Sequence, residues 1–150
     1  MDVIDDRPLA LVTLLLVAAA HLGFQLTVSL VVYPALREVD DDAWPVAHAR
    51  HARRIAPLVG ALYVPLVLVL AWTAATEPQA AGTWLALVGG GLSVVTTAAI
   101  AAPLHGRLGG ETERPQLLRD LSRADRIRTA GAVVCVAGAV MLLAGWSSGP

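Results

Sequence analysis

The sequence predicts an all-α integral membrane protein: an up-down four-helix bundle with interfacial lead-in helices, in a single domain over residues 1–150. Three observations predict it. Only 15% of the residues are charged while 56% are hydrophobic, and the mean hydropathy is +0.64; a soluble domain carries roughly 25% charged residues. Four apolar runs, near residues 9–33, 58–75, 82–102 and 129–146, each approach the roughly 20 residues that cross a hydrocarbon core at a rise of about 1.5 Å per residue. In lipid, every backbone N–H and C=O must find its partner within the segment, so such runs are helices.

The first run, Leu9 to Tyr33, has no charged residue and lies between Pro8 and Pro34. Pro8 suits a first helical turn, whereas Pro34 disfavours helix at Tyr33 and predicts an end there. Its acidic leader (Asp2, Asp5, Asp6) and its continuation past Ala18–Ala20 predict a retained span and not a cleaved signal. Residues Ala43 to Ile55, AWPVAHARHARRI, predict an interfacial helix leading into the second run, Leu58 to Ala75, with Pro57 permitting a bend. The third run, Gly82 to Ala102, meets Pro103, and Gly106 to Glu113 predicts a loose connection. Pro115 to Arg128 sets Leu117, Leu118, Leu121 and Ile127 among charges, an amphipathic lead-in to the fourth run, Thr129 to Trp146.

Lipid gives helices no hydrophobic reason to associate, so small residues must allow close packing. Gly131, Gly138 and Gly145 recur at steps of seven, and Gly89, Gly90 and Gly91 stand in the third run. Short connections make neighbours antiparallel. The same glycine faces would serve a homo-oligomer. No internal repeat is visible.

All eleven basic residues are arginine. Arg37, Arg50, Arg53 and Arg54 fall between runs one and two; Arg107, Arg114, Arg119, Arg123, Arg126 and Arg128 fall between runs three and four; only Arg7 lies elsewhere. The positive-inside rule then predicts a plasma-membrane protein with loops 34–57 and 103–128 in the cytoplasm and both termini outside. A net charge of -1 speaks against a nucleic-acid partner. Cys135 is the only cysteine, which excludes an internal disulfide and a cysteine zinc site. Nucleotide-binding glycine motifs, a nucleophile elbow and HExxH are absent from the sequence.

Polar residues at lipid depth are costly and predict a functional interior. His21, Gln25, Ser29 and Tyr33 recur at steps of four along the first run; Ser93, Thr97 and His105 form a matching row on the third, with Ala101 between. The plainer reading is that His21 and Gln25 bond Ser93 or Thr97 and fix helix register. Near the arginine-rich end, His48, His51, His105, Asp125, Arg126 and Arg128 converge if the bundle is antiparallel. They could supply imidazoles for a metal with Asp125 as ligand or acceptor, general acid and base near neutral pH, or merely a solvated face. From His21 to Tyr33 is about 18 Å along a helix, so a cleft past Tyr33, Ser29 and Gln25 is needed to join the two groups.

The stretches VSLVVYPALREV, PLHGRL and RADRIRT resemble the small four-helix anthrone oxygenase-like membrane proteins, and the likeness runs through all four spans in order. It points to Tyr33-Pro34, His105 and Arg126–Arg128. Characterised members of that family oxidise polycyclic phenolic anthrones to quinones without a metal or flavin. This chain departs from them at His105, where they commonly carry an asparagine-type residue, and in having His48 and His51.

These readings predict a membrane-embedded enzyme acting on an apolar, aromatic or polyketide-like molecule, of oxygenase or acid–base isomerase type. His105, His48 and His51 would move the proton, Arg126 and Arg128 would stabilise the anion, and His21, Gln25, Ser29, Tyr33, Thr97 and Asp125 would bind substrate. Its cofactor requirement would be none, with molecular oxygen as co-substrate and neither metal nor haem. The alternative is a non-catalytic scaffold, accessory subunit or small-solute carrier, with arginines that hold lipid or a partner.

Overall fold

A computed structural model describes residues 7–109 and 114–147. The leader carboxylates and residues 110–113, part of the connection expected to be loose, lie outside the described residues. Helix α1 runs Arg7–Thr27, passes through a π-helical turn at Val28–Val32 and resumes as α-helix over Tyr33–Arg37. Helix α2 is Trp44–Thr76. Helix α3 runs Ala81–Thr96, passes through a π turn at Thr97–Ala101 and resumes over Ala102–Arg107. Helix α4 is Arg114–Ser147. All four are long and apolar enough to cross a membrane, and no strand occurs among the described residues.

Successive helices pack in a ring, α1 on α2, α2 on α3, α3 on α4 and α4 back on α1. This is the predicted up-down four-helix bundle. The heaviest contact is α3 on α4, and small residues make it. Gly82, Ala86, Gly89 and Ser93 meet Gly131, Cys135, Gly138 and Leu142; a Cβ on Gly89 would stand 2.5 Å from the Gly131 carbonyl oxygen, and one on Gly138 2.5 Å from the Ala86 nitrogen. A Cβ on Gly91 or Gly145 would meet nothing within 4 Å, so the glycine face ends at Gly138 and does not continue to Gly145.

The sequence reading needs correction at the prolines. Pro34 and Pro103 do not end their helices. A proline in a continuing helix lacks an N–H and presses its ring on the carbonyl four residues back. In both helices the turn before the proline opens into π geometry: Tyr33 N–H bonds Val28 O, and Ala102 N–H bonds Thr97 O. Pro57 and Pro65 likewise sit inside the single continuous helix α2, and the two lead-ins are the first turns of α2 and α4 and not separate interfacial helices. At about 50 Å each, α2 and α4 exceed a hydrocarbon core of about 30 Å and carry their first turns beyond it. The connections shrink accordingly: Gly106 and Arg107 close α3, and the first loop is only residues 38–43.

The halves of the chain share one anatomy, which periodicity in the sequence did not reveal. Each has a helix whose π turn is followed two residues later by proline, then a long helix beginning with a proline in second place, Trp44-Pro45 and Arg114-Pro115. Two apolar clusters fill the bundle. One, with Leu11, Leu14, Leu66, Leu70 and Leu142, closes the end near the termini. The other, with Val28, Leu36, Trp44, Leu108, Leu117 and Leu121, lies toward the arginine-rich end. Buried polar side chains lie between them.

Candidate functional site

The polar layer centres on an ion pair. Arg128 Nη2 donates to Asp125 Oδ1 at 2.8 Å and to the Tyr33 hydroxyl at 3.0 Å, and all three residues are buried. Asp125 and Arg128 are three apart on α4, hence on one face, and that face is turned inward. The second carboxylate oxygen accepts from Ser29 Oγ at 2.5 Å, which binds α1 to α4. Ser29 Oγ also lies 2.9 Å from the Gln25 carbonyl oxygen and 3.3 Å from Thr129 Oγ1. Both carboxylate oxygens therefore have partners, as a charge in a poorly solvated interior requires.

The π turn in α1 places these groups. In a pure α-helix, residues at steps of four drift by about 40° per step, so His21, Gln25, Ser29 and Tyr33 would spiral off one face. The widened turn at Val28–Val32 takes back part of that drift, and Ser29 and Tyr33 stay on the α4 side with Gln25 turned to the bundle centre.

Deeper in the bundle, Gln25 Nε2 donates to the Tyr63 hydroxyl at 2.7 Å, and that hydroxyl lies 2.8 Å from Thr97 Oγ1. Thr97 Oγ1 is also 2.8 Å from the Ser93 carbonyl, and Ser93 Oγ donates to the Arg128 carbonyl at 2.7 Å. His21 presents its ring edge-on to Tyr63 with centroids 4.6 Å apart. The expected direct pairing of His21 and Gln25 with Ser93 or Thr97 does not occur, because α1 and α3 are diagonal in the ring. Tyr63 of α2 stands between them. Sequence reasoning passed over Tyr63, although a lone phenol in the apolar run GALYVPLV is a hydroxyl that needs a partner at lipid depth. His21 Nδ1 and Nε2 and Gln25 Oε1 are buried without hydrogen-bond partners.

Toward the arginine-rich end the three other histidines meet. The ring of His105 is 6.3 Å from His48, 5.9 Å from His51 and 6.3 Å from Tyr33, centroid to centroid. Their planes are close to parallel, 16° for His48 and 30° for His51 against His105. The His48 and His51 rings each stack on His105. Among the described residues no group of three or more His, Cys, Asp or Glu is arranged to hold a metal ion. His48 Nε2 and Arg128 Nε are buried and have no hydrogen-bond partner.

A cover that the sequence did not reveal closes this stack. Trp44 stacks on His48 at 5.2 Å and donates its indole N–H to the Leu108 carbonyl at 3.0 Å. Arg114 lies 4.1 Å over the Trp44 ring, pairs with Asp41 at 2.6 Å and bonds the Val39 carbonyl. Arg126, expected beside Arg128, is exposed and lines an outer groove.

The two groups that the sequence separated by depth thus form one polar file, from half-buried His51 through His105, Tyr33, Arg128, Asp125 and Ser29 to Gln25, Tyr63 and His21. Its inner end abuts the apolar cluster of Leu14 and Leu66. No protein-family model, curated protein or solved structure matches this chain.

Proposed function

We propose that the protein is a membrane-embedded enzyme that removes a proton from an apolar, weakly acidic small molecule, phenolic or enolisable, at the His105–Tyr33–Arg128 junction. One observation supports this above the others: a half-buried imidazole lies 6.3 Å, centroid to centroid and tilted by 33°, from a phenol whose hydroxyl is hydrogen-bonded to a buried guanidinium. His105 takes the proton, and Arg128 with Tyr33 holds the resulting anion, where low solvation strengthens each charge-assisted bond. His48 Nε2 and Arg128 Nε are buried polar atoms without a hydrogen-bond partner, which a bound ligand would satisfy. Asp125 positions Arg128, and Ser29 positions Asp125.

The resemblance to anthrone oxygenases adds the second half of the reaction. An enolate or phenolate reacts with molecular oxygen, a ring CH2 becomes C=O, and the other oxygen atom leaves as water, so no external reductant is consumed. An isomerase or cyclase would stop at the proton transfer. The arginine distribution supports placing this site at the cytoplasmic leaflet of the plasma membrane, with the termini outside.

The test is turnover of membrane-soluble phenols and enolisable ketones by the purified protein, followed by product absorbance and oxygen uptake. His105→Ala and Arg128→Met should each lower the rate by about 100-fold or more while insertion into the membrane persists. Wild-type rates in both variants would end the proposal, and product without oxygen uptake would select the isomerase form.

A further inference from the structure

Outside this site, a groove of about 940 Å³ opens between the end of α1, the first loop and the start of α4. Five arginines line it, Arg37, Arg114, Arg119, Arg123 and Arg126, against two carboxylates, Asp41 and Asp42. Several are already held in place: Arg37 bonds Ser122, Arg119 bonds Gln116 Oε1 at 2.6 Å, and Arg123 pairs with Asp120 at 2.9 Å. Planar guanidinium groups fixed in a concave wall suit a phosphate, whose oxygens take two parallel N–H bonds from each fork.

The same face continues into the membrane. Arg119, Arg123 and Arg126 follow steps of four and three along α4, and the row runs on through Ala130, Val133, Ala137 and Val140. Val133 and Val140 are 50% and 49% exposed. One helix face therefore offers cations at its first turns and an apolar strip below them. A soluble phosphate compound would use only the upper part; a phospholipid uses both.

We infer that this groove is a binding site for an anionic phospholipid, its phosphate among Arg119, Arg123 and Arg126 and its acyl chain along the Ala130–Val140 face. The site also touches the cover over the histidine stack. The Asp41 side chain is 97% exposed while that of its partner Arg114 is 13% exposed, so a lipid phosphate can replace Asp41 on Arg114 from the groove side. Occupancy then competes with the contact that anchors the first loop over Trp44.

The experiment is native mass spectrometry of the full chain in neutral detergent, titrated with phosphatidylglycerol and, separately, phosphatidylcholine. Phosphatidylglycerol should bind in preference, and the triple variant Arg119→Gln/Arg123→Gln/Arg126→Gln should weaken it by about tenfold or more. The control triple Arg50→Gln/Arg53→Gln/Arg54→Gln, on exposed turns of α2, should keep wild-type affinity, and Asp41→Asn should tighten binding. Equal loss in both triples would show general attraction to a basic surface and overturn the site. So would unchanged or weaker binding in Asp41→Asn. Displacement of the lipid by millimolar inorganic pyrophosphate, with no preference between the two lipids, would assign the groove to soluble phosphates instead.

Discussion

Ser29 on α1 donates its hydroxyl to Asp125 on α4, 2.5 Å away, while the other oxygen of that carboxylate holds Arg128. The helix pair is thereby joined through a charge that has no water to fall back on. Removing one member of a buried ion pair costs about 3–5 kcal/mol, whereas replacing both by apolar residues is often close to neutral. Asp125→Leu or Arg128→Met alone should therefore lower resistance to denaturing detergent strongly, and the double variant should regain much of it. Under the proposed function, activity should stay absent in the double variant, which separates the pair's part in folding from its proposed part in binding an anion.

Tyr63→Phe keeps the ring against His21 and removes the hydroxyl that Gln25 and Thr97 share. Gln25 Nε2 is then buried without an acceptor, a loss of about 1–3 kcal/mol. Thermal unfolding in detergent measures it. Tyr63→Phe combined with Gln25→Leu should cost less than the single phenol deletion with Gln25 retained.

Close approach of α3 and α4 makes Gly89 and Gly131 sensitive to any side chain. Gly89→Ala and Gly131→Ala should each destabilise by about 1–3 kcal/mol or more through overpacking, while Gly91→Ala and Gly145→Ala, which meet nothing within 4 Å, should not. Parallel unfolding curves for all four would refute the interface described above.

Arg114→Gln removes the cation over Trp44 and the partner of Asp41. The first loop should loosen, Trp44 emission should shift to longer wavelength, and histidine modification by diethyl pyrocarbonate should quicken at His48. An unchanged modification rate would mean that the cover does not limit access.

Orientation is readable with single cysteines. Asp42→Cys and Gln79→Cys place exposed thiols at opposite ends of the bundle, and native Cys135, fully buried, stays silent. In intact cells an impermeant maleimide should label position 79 and spare position 42; the reverse pattern would invert the assigned topology.

The helices were legible because runs of such length and apolarity have one solution in lipid. Rows at steps of four, including Ser29 and Tyr33, were legible for the same reason: spacing fixes a face. Spacing does not name the partner across that face, so Tyr63 was missed and the rows on α1 and α3 were paired with each other when they stand diagonally. Prolines were read against pure α geometry, which hid the π turns and cut two continuous helices short. Trp44 and Arg114 were hidden because a ring stacked on a ring, beneath a guanidinium, has no signature in one-dimensional order.

The apolar plug of Leu11, Leu14, Leu66 and Leu70 beyond His21 has a consequence for traffic. If the proposed function holds, a molecule that enters the polar file from the arginine-rich end meets apolar packing beyond His21, and product would leave by the way substrate came in. Such a cul-de-sac would suit chemistry without passage across the bilayer, and its throughput would be set by how quickly one shared opening clears.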